Sequence, residues 1–128
     1  AFQRLQARFA SYPMIDDHEL VDNFGSAKAH ATDEWAAFRE GALDAAHDYQ
    51  TSRVLGHDGT RPESLHYSFR RGDIATFVMD QRSERRVQED ETLQILGPAQ
   101  SEDLRRFLLD EHADAHVIAL VSSVPLVH

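Results

Sequence analysis

The chain has 128 residues and a mass of 14.5 kDa, which limits it to one domain with a modest core. Its 41% hydrophobic content is that of a globular rather than a disordered chain, and no apolar run approaches the roughly 18 residues of a membrane-spanning helix. Cysteine is absent, which excludes disulfides and thiolate metal ligands, and a formal charge of −9 argues against a nucleic-acid backbone as the partner.

In chain order, Phe2, Leu5, Phe9 and Ala10 recur at helical spacing and predict an amphipathic helix over residues 1–10, not a basic-then-apolar leader. A short strand is expected at 13–15, opening into Asp16-Asp17-His18-Glu19 and then Asp22-Asn23. Residues 28–32 read as a linker. Thr32 is a suitable N-cap for a helix over 33–51, with Asp33 and Glu34 in its first turn, where the helix dipole favours negative charge. Trp35, Phe38, Ala42, Ala46 and Tyr49 form its expected buried stripe. Gly56, Asp58-Gly59 and Pro62 mark a loop.

Residues 66–70 alternate, Arg71-Gly72-Asp73 reads as a turn, and 74–79 as a second strand, together a hairpin. The charge-rich stretch 84–91 is expected to be a solvated loop. Pro98 suits the first position of a helix whose buried face would be Leu104, Phe107, Leu108 and Leu109. After a connector at 114–116, residues 117–124 are apolar but for Ser122-Ser123 and rich in β-branched side chains, which predicts a buried strand. The fold class is α/β, with mixed strands and flanking helices.

The acidic tetrapeptide is the most informative feature. Three carboxylates and an imidazole in four residues repel one another and lose hydration if buried. A cation relieves that cost, and so does a surface loop, so the cluster reads either as a metal or catalytic site or as a solvated acidic turn. Carboxylate oxygens suit hard cations, and the neighbouring carboxylates are expected to raise the pKa of His18. Among the other histidines, His47 lies within the long helix and His57 in a loop. His112 and His116 have an i, i+4 spacing that binds metal only if the helix continues, and residues 114–116 are expected to leave it.

Residues 12–25, YPMIDDHELVDNFG, resemble the DDHE…DN segment of PhoD-like metallophosphatases, the alkaline phosphatase D branch of the calcineurin-like phosphoesterases. Residues 66–86 are similar to that branch's hairpin, Y-x-F-x-x-G-x-x-x-F-x-x-x-D-x-R-S-x-R. Leu96-Gly97-Pro98-Ala99-Gln100, a helix, and a strand running to Val124-Pro125 resemble its LG-x-x-Q…x-V-P stretch. The three segments occur in order and span about residues 7–126.

The resemblance implies part of an α/β/β/α sandwich and hydrolysis of phosphomonoesters or phosphodiesters by metal-activated water. It implies a pair of metal ions such as Fe and Ca, or Mn or Zn. Asp17 would be a metal ligand, with Asp16 as a ligand or its support, and His18 would be the catalytic group facing the phosphoryl. Glu19, Asp22, Asn23, Asp80 and Arg82 would support the loop, the last two by bracing a strand end. Phe24 stands where the branch often has Trp. Arg85 and Arg86 read as a solvated charge run, with an anionic substrate as the alternative. The branch is often exported.

The superfamily's early D-x-H, bridging G-D-x-x-D and late G-D-x-H segments are not in these residues. Two metals need roughly six or more protein ligands. The expectation is therefore the central part of a catalytic domain, with N- and C-terminal portions outside the 128 residues. The alternative is a non-catalytic or degenerate domain that binds a cation or a protein.

Overall fold

A computed structural model describes residues 4–5, 7–55, 60–112 and 114–125. Of the predicted N-terminal helix, residues 1–3 and 6 lie outside the described residues. What is described is a single turn, in which the Arg8 and Phe9 amides donate to the Leu5 carbonyl and leave Leu5 and Phe9 exposed. His57 and the glycines of the 56–59 loop also lie outside.

The central unit is a three-stranded mixed sheet in the order β1-β2-β5. Strands β1 (Tyr67–Arg71) and β2 (Ile74–Val78) form the expected hairpin, with Tyr67 opposite Val78 and Arg71 opposite Ile74. Gly72, at φ +59, takes the first central position of the two-residue turn, where a primed turn needs positive φ. Strand β5 (Val117–Val121) lies parallel to β2. A parallel pair needs a crossover. Here it carries a small antiparallel ribbon, β3 (Arg86–Val87) with β4 (Leu93–Gln94), and a helix, Pro98–Arg106, continued by a π-helical turn, Phe107–Glu111.

The first long helix, α1, runs over Asp33–Ala46, passes through a π-helical turn at His47–Thr51, and ends in α2, Ser52–Leu55. The crossover helix at Pro98–Arg106 is α3. No described helix is long and apolar enough to cross a membrane.

Two apolar clusters hold these elements. Ile15, Leu20 and Phe24 of the acidic loop pack with Leu43, Ala46 and Leu65. Ala75, Phe77 and Met79 pack with Phe107 of the crossover. The loop that carries the acidic cluster is thus pinned to α1 by three buried apolar side chains.

Several expectations are corrected. Residues 13–15 form no strand and pair with none among the described residues. Pro13 has no N–H for a ladder, and the segment is held along β1 through side chains. Tyr12 stacks on Phe69 at 4.1 Å, and the Tyr67 hydroxyl donates to the Pro13 carbonyl at 2.7 Å.

Within the helix stripe, Phe38 is 50% and Tyr49 90% exposed, while Leu43, His47 and Thr51 are buried. The π turn inserts one residue, so the helical phase read from the first three turns fails at Tyr49. Of the apolar face expected for the helix after Pro98, Leu104 is half-buried, Phe107 is buried, and Leu108 and Leu109 are exposed. The stretch at 84–91 is not all loop, because it contains β3. Strand β5 is five residues long and largely exposed on both faces, being one of the two edge strands of the sheet among the described residues.

Candidate active site

Residues 16–25 form a run of tight turns. The Leu20 amide donates to the Asp17 carbonyl and the Phe24 amide to the Val21 carbonyl, both at 2.9 Å. Asn23 takes φ +56, which an Asn tolerates, and Gly25 takes φ +82. Asp17 organises the loop. Its Oδ2 accepts the Asn23 amide at 2.7 Å, and its Oδ1 lies 3.0 Å from His18 Nδ1. The Asn23 amide is the largest influence pulling the Asp17 pKa down, to about 2; burial opposes it, and His18 and Arg82 assist. The same contact raises the pKa of His18, because the Asp17 carboxylate stabilises the imidazolium. His18 is otherwise open, with 77% of its side chain exposed.

The four residues of the acidic tetrapeptide go different ways. Asp16 accepts both Nε (2.9 Å) and Nη2 (2.7 Å) of Arg82 on a single oxygen. Glu19 accepts the Asp16 amide at 2.9 Å. Asp22 receives the Asn23 side-chain amide at 3.1 Å and lies 3.9 Å from His18 Nε2. The side chains whose ligand atoms converge are Asp17, His18 and Asp22, all within 4.8 Å of one another. The Asp16 carboxylate is not among them, whereas Asp22 is. The His112 and His116 side chains form no such group among the described residues.

Beneath the cluster lies a buried cation. The Arg82 side chain is 4% exposed and reaches the carboxylates of Asp16 and, at 3.8 Å, Asp17. Its third nitrogen, Nη1, is buried without a hydrogen-bond partner among the described residues. A buried guanidinium offsets two adjacent carboxylates that would otherwise repel.

Asp80 sets the backbone that aims Arg82. It does not pair with the Arg82 guanidinium. Its Oδ1 accepts the Arg82 (3.0 Å) and Ser83 (2.9 Å) amides, and its Oδ2 accepts the Leu65 amide at 2.6 Å.

Two glutamines of this network carried no role in the sequence reading. Gln100, fully buried on α3, accepts the Asp80 amide at 2.8 Å and donates to the Asp80 carbonyl at 2.7 Å. Gln81 accepts from the Ser122 hydroxyl and the Ser123 amide just beyond β5. Gln100 lay inside the LG-x-x-Q stretch, so the motif marked it, but its task depends on a partner twenty residues away. His66 was likewise read only as a strand residue. Its ring bridges Ser64 Oγ (2.9 Å) and Asp103 (3.0 Å), tying β1 to α3.

The converging donors fit a cation. Two carboxylates and an imidazole suit a divalent ion, and Asp17 is already held in its ionised form. Three donors make a partial shell for one ion and fall short of a two-ion centre.

The Asp17 contacts also have an acid signature. Because its folded pKa is depressed from 3.8 to about 2, its stabilisation is fully present above pH 3.8 and is lost as pH falls towards 2. Asp17→Asn is expected to flatten the dependence of the urea midpoint on pH across that window. An unchanged acid limb would remove Asp17 as the organising carboxylate.

No curated protein and no solved structure matches the chain significantly. The PhoD-like phosphatase model matches residues 1–127, essentially the whole chain, and the chain belongs to that family.

Proposed function

We propose that these residues form part of a metal-dependent phosphoric ester hydrolase in which Asp17 and Asp22 hold a cation and His18 handles the proton of the leaving group. The observation that carries the reading is the convergence of Asp17, His18 and Asp22 over the buried Arg82 in a chain of the PhoD-like family. When bound, the cation supplies positive charge that offsets the phosphoryl oxygens and activates water for attack.

The protein residues divide the remaining work. Asp17, fixed by the Asn23 amide, presents an oxygen in a set orientation. Its Oδ1 lies 3.0 Å from His18 Nδ1 and orients that ring, which suits a group that hands a proton to a departing alkoxide. Arg82 holds Asp16 away from the converging atoms and limits repulsion within the loop. Metal identity is open between Ca, Mn, Fe and Zn, and the substrates are phosphomonoesters or phosphodiesters. The two carboxylates assigned to the cation, too few for a two-ion centre, and the exposed faces of β5 support the reading that residues 1–128 work within a larger catalytic domain.

Calorimetric titration with calcium and with manganese tests the cation site. The parent chain is expected to bind, and Asp17→Asn and Asp22→Asn to weaken binding by about tenfold or more, roughly 1.4 kcal/mol each. Asp16→Asn is expected to have a smaller effect, because Arg82 already engages that carboxylate. A parent chain that binds neither ion, or an Asp17→Asn chain that binds as well as the parent, would sink the hydrolase reading in favour of a non-catalytic binding domain.

A further inference from the structure

A cleft of about 240 Å³ opens where the acidic loop ends, lined by Phe24, Gly25, His30, Arg39, Arg85 and Arg86. It is a local concentration of positive charge in a chain whose formal charge is −9. The arginines are not equivalent. Arg39 spends Nε and Nη2 on Glu40, at 3.1 and 2.7 Å, and Arg86 spends Nε on Gln94 at 3.3 Å. The Arg85 side chain makes no ion pair or hydrogen bond among the described residues, and its Nε is buried without a partner. A partly desolvated guanidinium without an acceptor is unfavourable, and natural folds retain few such groups without a reason.

The field at Arg85 points the same way. Burial first, and then the charge of Arg82, lower its pKa, with Asp17 and Asp16 opposing. The cleft borders the acidic loop through Phe24 and Gly25. The opposite wall is apolar and aromatic. Phe24 stacks on His30 at 5.3 Å, and His30 meets the edge of Trp35 at 5.1 Å. At about 240 Å³ the space is below the roughly 300–1,000 Å³ of pockets for drug-sized ligands, so its occupant is small.

We propose that this cleft is an anion subsite, in which Arg85, with Arg39 and Arg86 beside it, receives a phosphate group carried on a small apolar body. Guanidinium groups bind phosphate oxygens in a planar, two-pronged geometry, and the two Nη groups of Arg85 have no partner among the described residues. The subsite deepens the hydrolase reading and rests on it for the identity of the anion. Under that reading, substrates with a second anionic group are preferred over esters whose only anion is the scissile phosphoryl.

The test uses inorganic phosphate and the full chain in the presence of a chelator, so that no cation takes part. Trp35 is the single tryptophan and lies against the cleft wall, so its fluorescence reports occupancy. Saturable binding in the millimolar range or tighter is expected. Arg85→Gln should weaken it by about tenfold or more. Ala31→Glu, at an exposed rim position that places a carboxylate at the cleft, should weaken it similarly without touching the buried part. Arg53→Gln, away from the cleft, should leave it unchanged.

Absence of saturable binding up to ~20 mM, far weaker than a useful subsite, would overturn the proposal. So would parent affinity in both Arg85→Gln and Ala31→Glu, or binding that appears only when calcium is added. A chain that binds phosphate under chelation but fails to bind calcium or manganese would keep the subsite and remove the cation reading.

Discussion

Replacing Asp80 by Asn is expected to destabilise the protein by about 3 kcal/mol, although the change removes one charge and no heavy atoms. The carboxylate is 2% exposed, and its two oxygens serve opposite sides. One accepts the Arg82 and Ser83 amides, the other the Leu65 amide at 2.6 Å and, more distantly, the Ser64 hydroxyl at 3.4 Å. An asparagine has one acceptor oxygen. Whichever way its amide turns, an NH₂ group faces at least one buried backbone N–H that then has no acceptor.

The better orientation keeps the Arg82 and Ser83 contacts and sacrifices Leu65. That costs about 1–3 kcal/mol for the unsatisfied donor, besides the loss of charge-assisted bonds. Urea unfolding measures it. A difference below about 0.5 kcal/mol, the range of ordinary surface substitutions, would show that the Asp80 contacts do not organise the turn. Because the turn aims Arg82 at Asp16, cation affinity is expected to fall in the same variant.

That network shows where local reading of the sequence stops. The β1–β2 hairpin was legible because Gly72-Asp73 sits between two runs of strand character. The start of α3 was legible because Pro98 leaves no N–H to lose at the first helical position. The acidic loop announced itself by the cost of clustering its charges.

The division of labour within the loop was not legible. Arg82 selects Asp16, sixty-six residues away, and Asp22 comes within 3.9 Å of His18 Nε2 in a run of turns that includes Asn23 at positive φ. Both are outcomes of tertiary packing. The π turns that shifted the buried stripe of α1 leave no periodic signal, since they are the break in the periodicity. Strand β5 was read as buried from its composition. Burial of an apolar strand depends on what lies beside it, and among the described residues nothing pairs with its outer edge. For Arg85 and Arg86 the sequence offers both a solvated charge run and contact with an anionic substrate, and nothing local to them separates the two.

Alanine at Gly25 is expected to be the most damaging of three glycine substitutions whose contrast separates strain from collision. At Gly41, inside α1, an added Cβ meets nothing within 4 Å, and alanine is expected to stabilise by about 0.5–1 kcal/mol through helix propensity. At Gly72 the space is also open but φ is +59, so alanine is expected to cost about 1–2 kcal/mol of backbone strain alone. At Gly25 both effects act. Its φ is +82, and the new Cβ would lie 2.5 Å from the Arg85 carbonyl oxygen and 2.8 Å from the Arg85 Cβ.

Neither atom is the far end of a flexible side chain, so the acidic loop and the segment leading into β3 must separate. The expected cost is on the order of 3–4 kcal/mol, strain plus a backbone collision. The separation would also open the cleft at Arg85 and shift the loop that carries Asp17, so phosphate and cation binding should weaken together in the folded fraction. Denaturant unfolding of the three variants gives the ordering directly. If Gly25→Ala costs no more than Gly72→Ala, the two segments are not in contact, and the loop's link to Arg85 fails with it.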